Sequence, residues 1–345
     1  MIPRPQIPAA APRPPRPIDP SAPAAVEGAL FGFPLPLEEA RLVVIPVPYE
    51  ATVSSRGGTR EGPRALLEAS GQVDLYDPVA GEPWRLGLAA LPLEETIFDL
   101  SEAAAEAAER ARDGEPEAHA EVERIGRAVW DWVRDATRAT LESGRVPLVI
   151  GGEHAVSFGA IEAAAARRPG LGVLQVDAHA DLRGAYEGWQ TSHASVMRRV
   201  LELEGIARLV QVGLRDLSLE EVAARDGSHG RAVWFTDAEL ARRVFEGEPF
   251  AALSRDIVAA LPEEVWISFD IDGLEASLCP GTGTPVPGGL GWREATYLLA
   301  EVARSGRRVV GADLVEIGAG FWDGFVAAKL LYLLAGVAGG TVGAR

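Results

Sequence analysis

The chain has 345 residues, a net charge of −17 and 47% hydrophobic residues, enough for an ample core. The acidity argues against a nucleic-acid partner, because binding phosphates needs clustered lysine and arginine. The single cysteine, Cys279, excludes an internal disulfide framework and a cysteine-based zinc site. No apolar stretch reaches the roughly 18 residues of a membrane span, and the N-terminus lacks a signal-like apolar segment, so we expect no membrane partner and a cytoplasmic protein.

The sequence predicts one domain behind a proline-rich arm. Prolines in residues 1–29 are spaced too densely for a helix or a sheet, so this arm is expected to be extended or disordered. Residues 30–345 are expected to form a single domain, since α/β sheets often exceed 250 residues in one unit. The alanine- and glutamate-rich stretch 100–112 is interpreted as a surface excursion from that domain.

From residue 41 onward, apolar strands alternate with helices, mostly through short connections. Strands separated by helices imply parallel pairing through right-handed crossovers. The predicted fold is therefore a three-layer α/β/α sandwich with a mostly parallel central sheet. The predicted strands lie at 41–47, 146–151, 172–177, 208–213, 232–235, 264–270 and 308–313, and the predicted helices at 64–70, 119–143, 156–167, 192–204, 249–260, 292–305 and 322–337.

Three apolar runs, VPLVIGGEH, LQVDAHAD and VWISFDID, end in residue types that bind metals. Within DAHAD the acids and the histidine alternate, and residues two apart in extended chain point to the same side. One such aspartate alone is as often a helix cap or turn residue, but the three motifs together favour a site for two divalent ions such as Mn²⁺. The candidate ligands are His154, Asp177, His179, Asp181, Asp270 and Asp272.

Five segments together resemble the ureohydrolase family of arginases and agmatinases, over roughly residues 41–334. They are GGEH at 151–154, DAHAD at 177–181, SFDID at 268–272, PGTGTPVPGG at 280–289 and DLVEIG at 313–318. The resemblance implies an arginase-like fold and a metal-dependent amidinohydrolase acting on linear amidines. It also implies a homotrimer or homohexamer.

In that family two Mn²⁺ ions share a bridging hydroxide, with Ni²⁺ or Co²⁺ as alternative metals. By resemblance, the first ion would be held by His154, Asp177, Asp181 and Asp270. The second would be held by His179, Asp177, Asp270 and Asp272, so that Asp177 and Asp270 bridge. Two metals suit the reaction, because a guanidinium is a poor electrophile and its attack at neutral pH needs hydroxide.

The resemblance also assigns roles around the metals. Asp181 would orient the hydroxide, and Glu316 would bind the guanidinium; the alternative for Glu316 is a surface acid. His193, in SHAS, would help protonate the departing amine with an ordinary pKa near 6.5. Its alternative role is a helix-start histidine satisfied by backbone. Thr284 would lie within reach of the substrate. Where the family usually has Asp-Pro after the second metal motif, this chain has Glu275-Ala276, which affects loop geometry rather than ligands.

The substrate is less determined than the family. The loop LRGAYEGWQTS lacks the asparagine that arginases use for the amino-acid end, which favours agmatine and its hydrolysis to putrescine and urea. Glu187 could face the amine of such a tail, whereas Arg183 could pair with a carboxylate; both could equally be solvated loop charges. The alternatives are arginase, guanidinobutyrase, guanidine hydrolase or formimidoylglutamase activity, or a non-catalytic metal-bound protein.

Overall fold

The computed structural model describes residues 2–22 and 29–343. Eight strands form one sheet in the order β2-β1-β3-β8-β7-β4-β5-β6, and each of its pairings is parallel. Parallel strands are buried on both faces, which is why they read as continuous apolar runs. The strands are β1 (Leu42–Val47), β2 (Leu88–Ala90), β3 (Val146–Gly151), β4 (Leu171–Val176), β5 (Ile206–Leu214), β6 (Ala232–Thr236), β7 (Glu264–Asp270) and β8 (Arg308–Val315).

Helices cover both faces of the sheet, giving the three layers that the sequence predicts. Along β1, Leu42 and Val44 join one apolar cluster while Val43 and Ile45 join the other. Helices α1, α8, α9 and α10 pack in the first cluster, and α2, α3, α4 and α5 in the second. The helices are α1 (Gly62–Ser70), α2 (Glu95–Arg112), α3 (Pro116–Glu142), α4 (Ser157–Arg167), α5 (Val196–Glu202), α6 (Leu219–Asp226), α7 (Asp237–Phe245), α8 (Phe250–Ala259), α9 (Trp292–Arg304) and α10 (Phe321–Gly339).

The stretch 100–112 is not a surface excursion, so that interpretation was wrong. It belongs to α2, whose Ala104, Ala107 and Ala108 are fully buried. Their small side chains let α2 lie close to α3, and the glutamates between them face outward. The sequence analysis also missed the short edge strand β2 and the helices α6 and α7.

Helix α10 is apolar on all sides. By length and composition it could cross a membrane, a property that the sequence analysis did not find in any segment. However, 72% of its apolar window is buried inside the protein. A helix that is hydrophobic all round is expected in the middle of a large core, and α10 packs there against α1 and β8.

The described part of the proline-rich arm, residues 2–22, has neither helix nor strand, but it lies against the domain. The indole of Trp132 donates to the Pro3 carbonyl at 2.7 Å, and the guanidinium of Arg145 donates to the Pro8 carbonyl at 2.9 Å. Arg16 pairs with Glu39 at 2.9 Å. These contacts are among those that the structure describes for residues 2–22; residues 1 and 23–28 lie outside the described part.

Candidate metal centre

The four strands that carry the sequence motifs are neighbours in the middle of the sheet, in the order β3-β8-β7-β4. Their carboxyl ends therefore lie side by side. His154 follows β3, Glu316 follows β8, Asp270 ends β7 and Asp177 follows β4. Ligands of parallel α/β sheets bind beyond this edge, and the candidate site is there.

The first group of ligand atoms surrounds the ring of His154. Its Nδ1 lies 2.9 Å from Oδ2 of Asp181, 3.1 Å from Oδ2 of Asp177 and 3.4 Å from Oδ2 of Asp270. All four side chains are buried. Asp181 has a φ of 54°, a left-handed backbone that turns its carboxylate back towards the strand end. The atoms of His154, Asp177 and Asp270 lie within 4.8 Å of one another, as ligands of one ion must.

The second group surrounds His179. Its Nδ1 lies 3.0 Å from Oδ2 of Asp272 and 3.5 Å from Oδ1 of Asp177. Asp177 therefore directs one carboxylate oxygen to each histidine, the arrangement expected of a bridging ligand. Asp270 shows this less clearly, because within the described residues only its Oδ2 contacts a histidine, and that histidine is His154.

The hydrogen bonds of His154 fit a metal ion at its Nδ1. Asp313 accepts hydrogen bonds from Ser268 Oγ at 2.7 Å, Ser157 Oγ at 2.8 Å and the Trp266 indole at 2.5 Å. Because Ser268 donates its proton to Asp313, its oxygen accepts from Nε2 of His154 at 2.9 Å. That places the ring proton on Nε2 and a lone pair on Nδ1, which is buried and has no hydrogen-bond partner among the described residues.

The charges of the site also fit a cation. Burial, followed by the charge of Asp177, raises the pKa of Asp181 to about 7. Burial and the charges of Asp272 and Asp177 raise the pKa of Asp270 well above its ordinary value. Buried carboxylates this close together stay ionised only when a cation compensates them. Carboxylate oxygens and neutral imidazoles are ligands that suit Mn²⁺, and the same set also accepts other divalent metals.

A cavity of about 460 Å³ opens beside these groups. Of the residues proposed from the sequence, His179, Asp181, Arg183, His193 and Thr284 line it. The sequence analysis missed several further lining residues. Among them are Ser54, Ser55 and Arg56 from the loop after β1, together with Tyr186 and Asp216.

Glu316 lies next to this cavity, in a pocket of about 10 Å³ that it shares with His193 and Thr284. Its Oε1 accepts the amide N–H of His154 at 2.8 Å, which ties the carboxylate to a candidate metal ligand. The residue has a φ of 60°, an unfavourable value for a side chain with a Cβ. Burial raises the pKa of Glu316 well above its ordinary value, so a cationic guanidinium would be a favourable partner.

The ring of His193 is contacted by Thr52 on its Nδ1 side. Its Nδ1 lies 3.0 Å from Oγ1 of Thr52, and its Nε2 has no hydrogen-bond partner among the described residues. Burial, followed by the charges of His179 and His154, lowers the pKa of His193 to about 3. The expectation from the sequence was an ordinary pKa near 6.5, and the direction of the shift keeps the ring neutral in the metal-free protein.

The two charged residues of the loop after DAHAD lie in different surroundings. Glu187 is paired with Arg112 at 2.8 Å and does not line the cavity, and its φ is 49°. Arg183 lines the cavity, with its guanidinium 5.5 Å from the centre of the Tyr186 ring. Arg183 is thus open to the cavity, whereas Glu187 already has a partner.

Residues outside the predicted set support the ligands. Gln175 donates to Oδ2 of Asp177 at 2.6 Å, and Asp313 orients His154 through Ser268. Ser268 and Asp313 belong to the SFDID and DLVEIG segments, so those motifs contained the signal, but no role followed from their spacing. At the Glu275-Ala276 departure, the Glu275 amide donates to the Leu290 carbonyl at 3.0 Å, in a loop that supplies no ligand.

The chain is similar to known proteins over most of its length. Residues 40–332 match the model of the Arginase family. An N(1)-aminopropylagmatine ureohydrolase from Thermus thermophilus is 36% identical over 309 residues, covering 88% of this chain and 92% of that protein. An agmatinase from Bacillus anthracis is 30% identical over 281 residues, covering 81% and 84%. The crystal structure of an agmatine ureohydrolase from Thermoplasma volcanium has a TM-score of 0.68 at 25% identity, covering 88% of this chain and 91% of that one.

Proposed function

The chain belongs to the arginase family, and on this premise we propose that it hydrolyses a guanidino compound to urea and an amine at a two-metal centre, with agmatine as the first candidate substrate. One observation carries the proposal. Asp177 directs its two oxygens to two histidines, and Glu316 is joined to one of them, His154, by a 2.8 Å hydrogen bond. The candidate metal ligands therefore lie next to the carboxylate that we propose as the guanidinium-binding group.

Each residue has a task in this reaction. When bound, the metals supply hydroxide at neutral pH by lowering the pKa of coordinated water. Glu316 accepts hydrogen bonds from the guanidinium and holds its carbon in place. Asp181, at the cavity wall, orients the attacking oxygen. His193 presents Nε2 to the cavity, where it takes up the proton lost by the attacking oxygen and passes it to the nitrogen of the departing amine.

An amine-tailed substrate is supported by the relatives, whose names are agmatinase and N(1)-aminopropylagmatine ureohydrolase. A cavity of about 460 Å³ has room for the tail of agmatine and for the longer tail of aminopropylagmatine. Asp216 lines it, with a carboxylate 71% exposed, 4.0 Å from His179. We therefore propose that Asp216, rather than Glu187, binds the amine at the tail of the substrate, because Glu187 is paired with Arg112.

A guanidino acid such as guanidinobutyrate is the second candidate. Arg56 and Arg183 both line the cavity, and neither forms an ion pair within residues 2–22 and 29–343. Two cations at the cavity wall would favour a carboxylate tail. Arginine, guanidine and formimidoylglutamate remain further alternatives, as does a non-catalytic metal-bound role.

A urea-release screen tests the proposal. Protein loaded with Mn²⁺, and separately with Ni²⁺ and Co²⁺, is offered agmatine, aminopropylagmatine, guanidinobutyrate, arginine and guanidine, and urea is measured. Formimidoylglutamate is offered in parallel with formamide as the measured product, because this amidine cannot yield urea. We expect release of urea from the amine-tailed guanidines and its loss in Glu316→Gln. Preference for guanidinobutyrate would instead support the two-arginine alternative. Absence of product from the whole panel with every metal would contradict an enzymatic role.

We also propose a homotrimer or homohexamer and a cytoplasmic location, as the family resemblance and the sequence first indicated. Neither is needed for the site, because the ligands and the cavity named above come from one chain. Light scattering at micromolar concentration tests the assembly, and a monomer would refute it.

A further inference from the structure

Glu153 is the most deeply buried carboxylate near the site that has no part in the proposed reaction. It is fully buried and forms no salt bridge with the described residues. Its Oε2 instead accepts two backbone N–H groups, from Ala51 at 2.9 Å and from Thr52 at 2.8 Å. A buried carboxylate without a cation is costly unless its hydrogen bonds are satisfied, so its position needs an explanation.

The hydroxyl of Thr52 connects this carboxylate to His193. Thr52 Oγ1 lies 3.2 Å from Oε1 and 3.1 Å from Oε2 of Glu153, and 3.0 Å from Nδ1 of His193. It also accepts the backbone N–H of His193 at 3.3 Å. The Thr52 hydroxyl thus joins three segments of the chain. They are the loop after β1, which carries Thr52, the residues after β3, which carry Glu153, and the residues before α5, which carry His193.

The donors and acceptors around Thr52 allow one dominant arrangement. Its single proton could point to Glu153, to Oγ of Ser192 at 3.2 Å or to His193. In its ionised form Glu153 only accepts, which makes it the strongest acceptor of the three. With that proton directed to Glu153, the Thr52 oxygen accepts from the ring at 3.0 Å, while Oγ of Ser192, the other hydroxyl near Nδ1, is farther away at 3.4 Å. The shorter contact favours a hydrogen on Nδ1 of His193.

We infer that Glu153 is a positioning residue that acts through the Thr52 hydroxyl to hold His193 in the tautomer with the proton on Nδ1 and a lone pair on Nε2. The cavity is on the side of Nε2, since His193 lines it and Nδ1 is turned to Thr52. The carboxylate does not touch the substrate. It fixes which ring nitrogen can take up a proton, in the way that an orienting acid serves a catalytic histidine.

The kinetic test uses Thr52, because changing it leaves the buried carboxylate in place. Thr52→Val removes the hydroxyl at nearly constant volume, and Thr52→Ser restores it. Thr137→Val is the matched control: it removes a buried hydroxyl in α3 that has no partner among the described residues. Each variant is first checked for metal content, and kcat and KM are then measured on the best substrate of the urea screen.

We expect Thr52→Val to lower kcat by about tenfold or more with KM within about twofold, since a proton-transfer group is misdirected while substrate contacts remain. Thr52→Ser should recover most of that loss, and Thr137→Val should keep the kcat of the parent protein. A kcat for Thr52→Val equal to that of Thr137→Val would overturn the inference. A Thr52→Val effect seen only in KM or only in metal content would also overturn the inference, because it would indicate that the Thr52 hydroxyl only supports the local structure.

A spectroscopic test needs neither substrate nor turnover. Solid-state ¹⁵N NMR of histidine-labelled protein loaded with diamagnetic Zn²⁺ reports the tautomer of each ring, and the spectrum of His193→Gln identifies the signals of His193. We expect the Nδ1–H form in the parent protein. In Glu153→Gln the amide oxygen would keep the two backbone donors and its NH₂ would face Thr52. The hydroxyl would then donate to the ring, and the tautomer should invert.

The Nε2–H form in the parent protein, or an unchanged tautomer in folded Glu153→Gln, would contradict the inference. If Glu153→Gln fails to fold, Thr52→Val must lose the preference for Nδ1–H, and retention of that preference counts as refutation. The catalytic part of this inference rests on the proposed function, but the two can fail separately. A parent protein that releases no urea refutes the function, while the tautomer measurement still decides the role of Glu153.

Discussion

Asp313→Asn should weaken metal binding although Asp313 is not a ligand. Asp313 accepts from Ser157 and Ser268 on one oxygen and from Trp266 on the other. An indole N–H cannot reverse its direction, so the amide oxygen of the variant must serve Trp266 and its NH₂ must face the serines. The Ser268 hydroxyl would then turn to Nε2 of His154 and donate to it. That moves the ring proton to Nδ1, the nitrogen on which the metal depends.

The expected size of this effect follows from the general behaviour of metal-binding histidines. Altered partners of metal-ligating histidines typically cost 10- to 100-fold in metal affinity. That corresponds to about 1.4–2.7 kcal/mol. The metal-free protein should also lose stability, by roughly 1–3 kcal/mol, because a buried charge-assisted hydrogen bond is replaced. The loss of metal affinity and the loss of stability arise from the same substitution, so a control variant is needed to separate them.

Asp77→Asn serves as that control. Asp77 accepts N–H groups of Val79 and Ala80 and pairs with Lys329, away from the metal centre. Metal affinity is measured by competition with a chelator, and stability by thermal unfolding of metal-free protein. We expect both variants to lose stability and only Asp313→Asn to lose affinity. Equal, unchanged affinity in the two variants would refute the reasoning and leave Asp313 as an ordinary core anchor.

Three further predictions concern the site itself. Asp177→Asn should remove more metal than His154→Ala, because a bridging ligand serves both ions; elemental analysis showing the reverse order, or one ion per active chain, would contradict it. Glu316→Gln should lower kcat/KM heavily by misplacing the carbon under attack, which steady-state kinetics with unchanged kcat/KM would disprove. Asp216→Asn should raise KM for an amine-tailed substrate by roughly two- to fivefold with kcat kept, while Glu187→Gln should change KM less. The opposite ranking would return the tail contact to Glu187.

The sequence determined the chemistry of the site because chemistry follows residue type and local spacing. Alternation in DAHAD predicted that Asp177, His179 and Asp181 face one side of an extended chain, and the apolar runs before the motifs identified the strand ends. The left-handed backbone of Asp181 was not predictable from that alternation. The parallel, three-layer architecture followed from the same alternation of strands and helices. These inferences needed no knowledge of which strands are neighbours.

Only the tertiary structure decided what depends on distant contacts. The order β3-β8-β7-β4 brings the motifs together, and no local pattern encodes that order. The partner of Glu187 is 75 residues away, and the contact between Thr52 and Glu153 spans 101 residues. Burial lowers the pKa of His193, and it covers Ala104, Ala107 and Ala108 of α2. Both results depend on the packing of the whole chain. Residue types thus limit the reactions that the candidate site could support. Long-range packing decides which nitrogen, oxygen and hydrogen atoms of those residues face the cavity.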